Sequence, residues 1–348
     1  QNTYAGGDMG YSGFDMYKYT WQSNHPVEWK ALDGKYYHDY AEDVSWGPKM
    51  VGQEYIPWYA WYGGHERSYK TASLTPQPNN ARSFYNTGER LNNSVTLTKA
   101  GDNFNTRFTY NNINLTGILP NTDLKRNSFS TNTTVDLTNK LSLGVNLNYY
   151  NQINNGEFDD GYSNNTSGSF NQWFHRDLDM GIIKELKDLK TPTGIRASWN
   201  HQNPSAYNSS KLKDFYGAYY WYSFDTWQQI VTNVSEVNKL YGDISLTYKV
   251  NNDLRLKGTY RTTTFFGHNE RKFSTDLLES GVKTFSNCGE CLGYYSSSTG
   301  NSKDQDIELT ATYNKTLKDF TIGATAGIDI HSYSVYQNSG STNGGLNI

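Results

Sequence analysis

The chain has 348 residues, of which 19% are charged, and a net charge of -3 at pH 7. Hydrophobic residues make up 35% of it, and exchanging Tyr for Gly in that set leaves about 36%, against about 45–50% in globular domains, which excludes an ordinary aliphatic core. The 29 Tyr, 15 Phe and 9 Trp also exclude a disordered chain, because such chains are poor in aromatic residues.

Membrane helices and nucleic-acid binding are not indicated either. A transmembrane helix needs a run of about 18 apolar residues, and the chain contains none. The near-neutral charge provides no basic surface for a nucleic-acid partner. A membrane could still be crossed by strands.

Residues 1–90 precede the first alternating segment and form a first long loop region. This region begins at Gln1, without an initiator Met or a signal-peptide pattern, so we expect the chain to be part of a longer protein. It is rich in tryptophan, with Trp21, Trp29, Trp46, Trp58 and Trp61.

Four strands are predicted between residues 91 and 152. The clearest alternation runs from 141 to 150, where one face carries Leu141, Leu143, Val145, Leu147 and Tyr149. Weaker alternation predicts strands over 91–99, 104–115 and 127–138. Turns of two or three residues join the strands in pairs at Ala100 to Asp102 and at Asn139-Lys140.

A second long loop spans 153–235. Its tryptophans are Trp173, Trp199, Trp221 and Trp227. Apolar residues at helical spacing predict a short amphipathic helix between Arg176 and Leu189, with Asp177 as its N-cap. We expect this helix to pack on the loop or the rim of the fold rather than insert into a bilayer.

Residues 236–336 repeat the pattern of the first strand group. Alternation predicts strands over 236–250, 254–266, 304–317 and 320–336, paired by turns at 251–253 and 318–319. The loop between the pairs contains Cys288 and Cys291 in the sequence Cys-Gly-Glu-Cys. Two cysteines supply half of a zinc site at best, so we expect a local disulfide or two free thiols.

Short turns and long loops therefore alternate along eight predicted strands. This asymmetry is typical of outer-membrane β-barrels, whose apolar face meets lipid and whose polar face lines the lumen. Six aromatics near strand ends could form interfacial girdles: Phe104, Tyr149, Tyr150, Phe265, Phe266 and Tyr333. We predict an all-β fold, a transmembrane antiparallel β-barrel that is part of a larger barrel. The alternative is a soluble antiparallel sandwich, whose apolar face would turn inward.

Aromatic and basic residues are the candidates for solute binding. Ring faces beside amide side chains suit sugars or peptides, although the same rings could pack the loops against one another. Basic residues on the polar faces could form a charge ladder with Asp136, Asp243, Glu308 and Asp329, or simply solvate the lumen. The candidates are Trp46, Trp58, Trp61, Trp173, Trp221, Trp227, Arg107, Arg255 and Arg261. We find no spacing typical of catalytic carboxylates, a nucleophile, a cofactor loop or a metal site.

Several blocks resemble one family of transporters. Ser45 to Met50, residues 79–88 and Asn92 to Leu97 resemble the barrel region of SusC/RagA family TonB-dependent outer-membrane transporters from Bacteroidetes. The sharpest match is Gly117 to Arg126, with the sequence GILPNTDLKR. Trp173-Phe174 and the stretch 184–188 are similar to a long extracellular loop of that family.

The resemblance implies an energy-coupled importer in the bacterial outer membrane. It implies a plugged barrel of about 22 strands, a SusD-like surface lipoprotein, TonB acting through the plug, and an oligosaccharide rather than a peptide as the solute. It implies neither a cofactor nor bond chemistry. Because we recognise no plug, TonB box or C-terminal strands, we expect 1–348 to be part of the barrel domain.

Two other functional classes stay open on the sequence. The first is a passive β-barrel porin or a surface adhesin, which would lack an upstream plug. The second is an extracellular carbohydrate-active enzyme, which would lose turnover when one loop carboxylate is neutralised.

Overall fold

A computed structural model describes residues 3–7, 16–156, 170–277, 281 and 293–342. Its main element is a sheet of eight long strands: β5 (Glu89–Gly101), β6 (Phe104–Thr116), β7 (Asp123–Asp136), β8 (Leu141–Asn155), β9 (Val231–Lys249), β10 (Leu254–Phe273), β11 (Tyr294–Leu317) and β12 (Phe320–Ser341). Neighbours in the sequence are neighbours in the sheet, and every pair is antiparallel.

Short elements lie outside this sheet. Two-residue strands pair β1 (Tyr17–Lys18) with β2 (Tyr36–Tyr37), and β3 (Glu54–Tyr55) with β4 (Ala72–Ser73). Helical turns are α1 (Asn80–Phe84), α2 (Met180–Glu185), α3 (Leu212–Tyr216), α4 (Phe224–Ile230) and the 3-10 segments Val27–Leu32, Trp58–Trp61 and Pro204–Ala206. No helix in the described ranges is both long and apolar enough to cross a bilayer.

The predicted antiparallel all-β fold is confirmed. The eight strands form one open sheet, in which β5 and β12 each leave one edge unpaired within the described residues. The tight turns lie at 102–103, 137–140, 250–253 and 318–319, and each overlaps the predicted turn with bounds that differ by up to two residues. Several strands continue past the alternation toward the long loops, because their backbone pairing persists where the side chains become polar.

The two faces of the sheet are chemically different. Register places Ile330, Ile307, Tyr260, Ile244 and Val145 side by side on one face. We call this the apolar face. Ile330 is 60% exposed and Ile244 is 42% exposed, so this face is not covered by another element in the described part of the chain. The opposite face, the polar face, carries amides, hydroxyls and charges.

The girdle prediction holds for part of the set only. Phe104, Tyr149 and Phe266 lie on the apolar face, where a lipid interface would be. Tyr150, Phe265 and Tyr333 instead share the face of Ser128, Lys239 and Asp304. The prediction was wrong for these three residues, because period two assigns adjacent strand residues to opposite faces.

Successive hairpins are staggered along the strands. From Phe104, at the first tight turn, the pairing leads to Leu309 through Val135, Leu143, Leu246 and Gly258. Leu309 lies eight residues before the end of β11 at Leu317 (317 minus 309). Eight residues span about 27 Å, and the centres of the first and last turns, between β5 and β6 and between β11 and β12, are six strand spacings or about 29 Å apart. If the turns share one level, the strands tilt by about 43°, within the range of about 35–45° found in barrels.

The block Gly117 to Thr122 forms the turn between β6 and β7 and joins the sheet to the loops. Asn121 adopts a left-handed φ of 57°, and its side chain donates to the carbonyl of Gln228 at 3.1 Å. The carbonyl of Ile118 accepts from the Asn86 amide at 2.8 Å. Gly156, with φ of 112°, lies so close that a Cβ there would be 2.8 Å from the Asn121 carbonyl oxygen. The family-like motif is therefore an anchor for both long loops.

Residues 16–88 and 170–230 fold together into one body, which we call the cap. Its interior is mainly aromatic, with Trp29, Trp61, Trp199 and Trp221 fully buried. Some of the polar groups inside it are hydrogen-bonded within the cap: Trp29 Nε1 donates to the Trp61 carbonyl at 3.2 Å, and the buried Asn200 amide donates to the Tyr40 carbonyl at 2.7 Å. The cap provides the large interior that the sheet lacks.

The predicted helix is present but shorter, and its cap residue differs. Helix α2 covers Met180–Glu185, and the Asp179 side chain, not that of Asp177, accepts from the Gly181 amide at 2.8 Å. Asp177 instead pairs with His38, 139 residues away in the chain. Buried Met180 and Ile183 pack α2 into the cap, as expected.

One pair of substitutions tests which solvent meets the apolar face. Ile244→Arg should lower the free energy of unfolding in a bilayer by about 2–4 kcal/mol, the range for a basic residue near the bilayer midplane of a barrel. In water, an arginine at this exposed position should cost less than about 0.5 kcal/mol. Equilibrium unfolding of the full-length protein in lipid vesicles measures the difference.

Ser245→Arg is the matched control, because it places the same side chain on the polar face one residue along β9. We expect it to change stability by well under half the effect of Ile244→Arg. Equal effects of the two substitutions would contradict a lipid-facing apolar surface.

Candidate functional site

Four of the predicted solute-binding tryptophans lie in the interior of the folded loops. Trp61 and Trp221 are 0% and 1% exposed, and Trp58 and Trp227 are 5% exposed. Trp221 Nε1 donates to Asp43 Oδ2 at 2.6 Å, and Trp61 packs edge-on against Trp29 at 4.9 Å. In this structure all four rings pack inside the folded loops, as the packing alternative predicted, and solute binding by them stays a prediction.

The other two tryptophans are more accessible. Trp46 is 47% exposed and stacks on Tyr4 at 4.8 Å. Trp173 is partly buried against the aromatic interior of the cap. Solute binding by Trp46 and Trp173 stays a prediction.

The predicted arginines all lie on the polar face, but at separate places. Arg107 and Arg261 share one row of the pairing, with Asn132, Asn146 and Asp243 between them, so about 19 Å separates their strands. Arg255 lies six residues before Arg261 on β10.

Arg261 belongs to a row of alternating charge. Asp243, Arg261, Asp306 and His331 are successive partners in this row. Arg261 also donates to Glu308 Oε2 at 2.7 Å, and His331 Nδ1 lies 2.8 Å from Asp306 Oδ1. The guanidinium is thus already paired with protein carboxylates, which leaves it less free to bind an anionic solute.

A small polar cavity opens on the same face between β6 and β9. Its volume is about 190 Å³. Hydroxyl and amide groups line it together with three tyrosines, one phenylalanine and one arginine, and the lining residues include Asn111, Ser130, Asn148, Tyr150, Tyr241 and Arg126. Ring faces provide apolar contact and the amides provide both donors and acceptors, the combination that suits a hydroxylated or amide-rich solute.

Arg126 is the distinctive residue of this cavity. Its guanidinium lies over the Tyr150 ring, 4.1 Å from the ring centre. Its buried Nε has no hydrogen-bond partner, and Arg126 forms no ion pair within the described ranges. A guanidinium held on an aromatic ring without a protein counter-charge is suited to bind a carboxylate.

A larger groove of about 530 Å³ lies on the apolar face, where Gly258 leaves space between strands. Its side chains are mainly apolar, among them Leu246, Leu256, Leu309 and Ile328. Binding sites need polar groups to orient a ligand. We therefore take the cavity at Arg126, not this groove, as the candidate site.

Sequence reasoning missed Arg126 and misplaced Tyr150. Arg126 was noted only as the end of the family-like motif, since the predicted strand began at 127, whereas β7 begins at Asp123. Once β7 is extended, period two places Arg126 on the face of Ser128 and Ser130, so alternation alone could have found it. Cys288 and Cys291, for which the sequence predicts a local disulfide or two free thiols, lie outside the described residues.

Burial lowers the pKa of two cap histidines, whereas an ion pair raises that of a third. Burial lowers the pKa of His201 to about 4, and burial together with nearby His38 lowers the pKa of His175 to about 3. Burial opposes the charge on His38, yet the Asp177 carboxylate beside it outweighs burial and raises the pKa of His38. Burial acts against the charge of Asp177 as well, but His38 holds the pKa of this carboxyl below its ordinary value.

Comparisons with known proteins show the fold. No family model matches the chain, and no curated protein matches it. The RagAB peptide importer in its 'closed-closed' state has a chain similar to it, with a TM-score of 0.54, 11% identity and 76% of this chain covered. For the 'open-open' state the TM-score is 0.52, the identity is 12% and 75% of this chain is covered. For a further structure of the RagAB peptide transporter the TM-score is 0.51, the identity is 13% and 78% of this chain is covered.

The match covers only part of each solved chain. The chain spans 27%, 26% and 27% of those three chains, about a quarter of their length. Its fold is therefore that of part of an importer chain, in agreement with the resemblance to the SusC/RagA family.

The buried His201 generates a prediction about acid stability. Its ring packs against Tyr40, Tyr62 and Phe215, and its nitrogens face the carbonyls of Trp58 and Gln202. Because its folded pKa is depressed, the unfolded chain binds more protons, so its stabilising effect is complete above about pH 6.5 and is lost as the pH falls toward 4. The loss is at most about 3 kcal/mol.

His201→Gln keeps a hydrogen-bond donor but cannot titrate. We expect the thermal midpoint of the variant to fall less steeply than that of the unsubstituted protein between about pH 7 and pH 5. Parallel pH profiles for the two proteins would contradict this assignment.

Proposed function

We propose that the chain is part of the barrel wall of a SusC-like transporter that imports an oligomeric nutrient across the bacterial outer membrane. The observation that carries this proposal is one sheet with an uncovered apolar face and a polar face that holds the Arg126 cavity. Solute contacts the polar face, lipid contacts the apolar face, and no covalent bond is made or broken.

The exposed apolar face supports the membrane location. Leu309 and Ile328 are 57% and 66% exposed, and their neighbours across the strands are apolar as well. A soluble sandwich would cover such a face with a second sheet. In lipid, the same face needs no cover, because acyl chains solvate it.

Active import rather than passive diffusion is supported by the likeness in fold to an importer and by the family resemblance. On this proposal TonB supplies energy through a plug, and a SusD-like lipoprotein covers the solute path on the cell surface. A porin or an adhesin is the alternative, and it predicts solute entry or binding without dependence on the proton gradient.

The solute class proposed first is an oligosaccharide with an acidic group. Tyr150 and Tyr241 offer ring faces for sugar rings, while Asn111 and Asn148 offer donors and acceptors for hydroxyls. The unpaired guanidinium of Arg126 requires a negative group on the solute, such as a uronic carboxylate, if it is to be neutralised on binding.

A peptide is the second candidate, because the similar solved structures are those of a peptide importer. The same cavity suits a peptide: asparagine side chains hydrogen-bond to peptide groups, and Arg126 binds a terminal or side-chain carboxylate. Both candidates share the carboxylate, so both assign the same role to Arg126.

Arg126→Gln tests this role in cells that express the full-length protein. Hydrogen bonds to charged groups contribute about 1.5–3 kcal/mol, so uptake of a labelled acidic oligosaccharide at limiting concentration should fall about 10–100-fold. Uptake of the neutral oligosaccharide of equal length should stay unchanged. Collapse of the proton gradient should stop both, which separates active import from a porin.

Arg107→Gln provides the control, since it removes a guanidinium from the same face outside the cavity. It should leave the preference between acidic and neutral solutes intact. A panel of acidic and neutral peptides distinguishes the second candidate. Equal losses for neutral and acidic solutes in Arg126→Gln would overturn the role of Arg126, and uptake that survives without the gradient would overturn active import.

A further inference from the structure

Three ligand-type side chains meet inside the cap, away from the polar face of the sheet. His38 follows β2, whereas His175 and Asp177 precede α2, so the two long loop regions each contribute. All three residues are buried, with exposures of 2%, 1% and 7%. One nitrogen or oxygen of each lies within 4.8 Å of those of the other two.

Two of the polar atoms in this cluster have no hydrogen-bond partner in the described part of the chain. His175 Nε2 donates to the Glu42 carbonyl at 2.5 Å, so Nδ1 carries the lone pair, and that atom is unpartnered. Asp177 Oδ2 lies 3.0 Å from His38 Nε2, a contact in which a metal ion would replace the shared proton, while Oδ1 is unpartnered. Both are acceptors, and burying an acceptor without a donor is unfavourable. A cation would satisfy both.

The outer nitrogens of the two histidines are oriented as metal-binding histidines require. His175 Nε2 faces the Glu42 carbonyl, and His38 Nδ1 faces the Asp39 carbonyl at 3.4 Å. When a carbonyl accepts from one ring nitrogen, the other nitrogen keeps its lone pair and points the opposite way. His175 Nδ1 and His38 Nε2 are then the ligand atoms, with the Asp177 carboxylate as the third.

The dimensions and surroundings fit a small divalent ion. Zinc–nitrogen and zinc–oxygen bonds of about 2.0–2.2 Å place ligands about 3.4 Å apart, so the three atoms need to approach by little more than 1 Å at most. The site is closed: a Cβ on Gly6 would be 2.2 Å from His175 Cδ2, and the rings of Tyr55 and Trp199 pack at 5.9 Å from His38 and 4.9 Å from His175. Such a site retains its ion because exchange requires the cap to open.

We propose that His38, His175 and Asp177 bind one divalent transition-metal ion of the zinc type, which links the two loop regions of the cap. Two imidazoles and a carboxylate are a ligand set that zinc accepts, with water as a fourth ligand. The ion stabilises the cap and takes no part in solute binding, since the Arg126 cavity lies on the sheet.

The test uses the full-length protein in detergent, stripped with a chelator and reloaded with Zn²⁺ or Co²⁺. We expect one bound equivalent by mass spectrometry of the metal, visible Co²⁺ absorption bands typical of a tetrahedral site, and a thermal midpoint that falls on stripping and recovers on reloading. Asp177→Asn and His175→Gln should each weaken affinity by about 100-fold or more, because loss of an outer partner alone costs about 10–100-fold.

His201→Gln is the matched control, since His201 is also buried but both its nitrogens face backbone carbonyls. It should keep one equivalent of metal. If the two ligand variants fail to fold, the metal content and the Co²⁺ spectrum of the unsubstituted protein test whether the site binds metal. A protein that binds no metal and has a thermal midpoint insensitive to stripping overturns the proposal and leaves a buried water or proton between the two acceptors. Metal retained by both ligand variants overturns it as well.

Discussion

A single layer of β-sheet that contacts a different medium on each side must satisfy its backbone hydrogen bonds within the layer. The strands β5 to β12 do so by pairing in sequence order, over 13 residues at β5 and β6 and 22 at β11 and β12, and within the described residues only the outer edges of β5 and β12 stay unpaired. Lipid offers no hydrogen bonds to a strand, so this continuity is what permits an uncovered apolar face. The chemistry of the two faces then depends only on which side chains alternate.

The cap follows from the same constraint. The sheet cannot bury large side chains between two layers, because it has one layer, so the aromatic residues of residues 16–88 and 170–230 form the main interior. The turn Gly117 to Thr122 connects this interior to the sheet through Asn121 and Ile118. The apolar residues of the sequence therefore lie in two separate places. Those of the strands lie on an exposed face of the sheet, and the aromatic residues of the long loops lie buried in the cap.

The sequence was informative wherever structure depends on near neighbours. Alternation and turn residues predicted eight strands and four tight turns, because period two and turn chemistry are local. It failed where a residue's partner lies far along the chain. Asp177 looked like a helix cap but pairs with His38, and the long-range packing of Trp61 and Trp221 inside the cap is visible only in the structure. Arg126 lies on the Tyr150 ring without an ion pair in the described residues, whereas Arg261 is paired with Glu308, and no local pattern reveals this difference.

The central claim, that one face of this sheet meets lipid and the other meets water, is tested most directly by spin labels at successive positions 306–311 of β11. The full-length protein would be reconstituted in a bilayer, and the accessibility of each label to dissolved oxygen and to a water-soluble nickel complex would be measured. The account predicts strict alternation, with labels replacing Ile307, Leu309 and Ala311 accessible to oxygen and those replacing Asp306, Glu308 and Thr310 accessible to nickel. Labels at 307, 309 and 311 that are shielded from both reagents would contradict it, because a protein layer would then cover the apolar face.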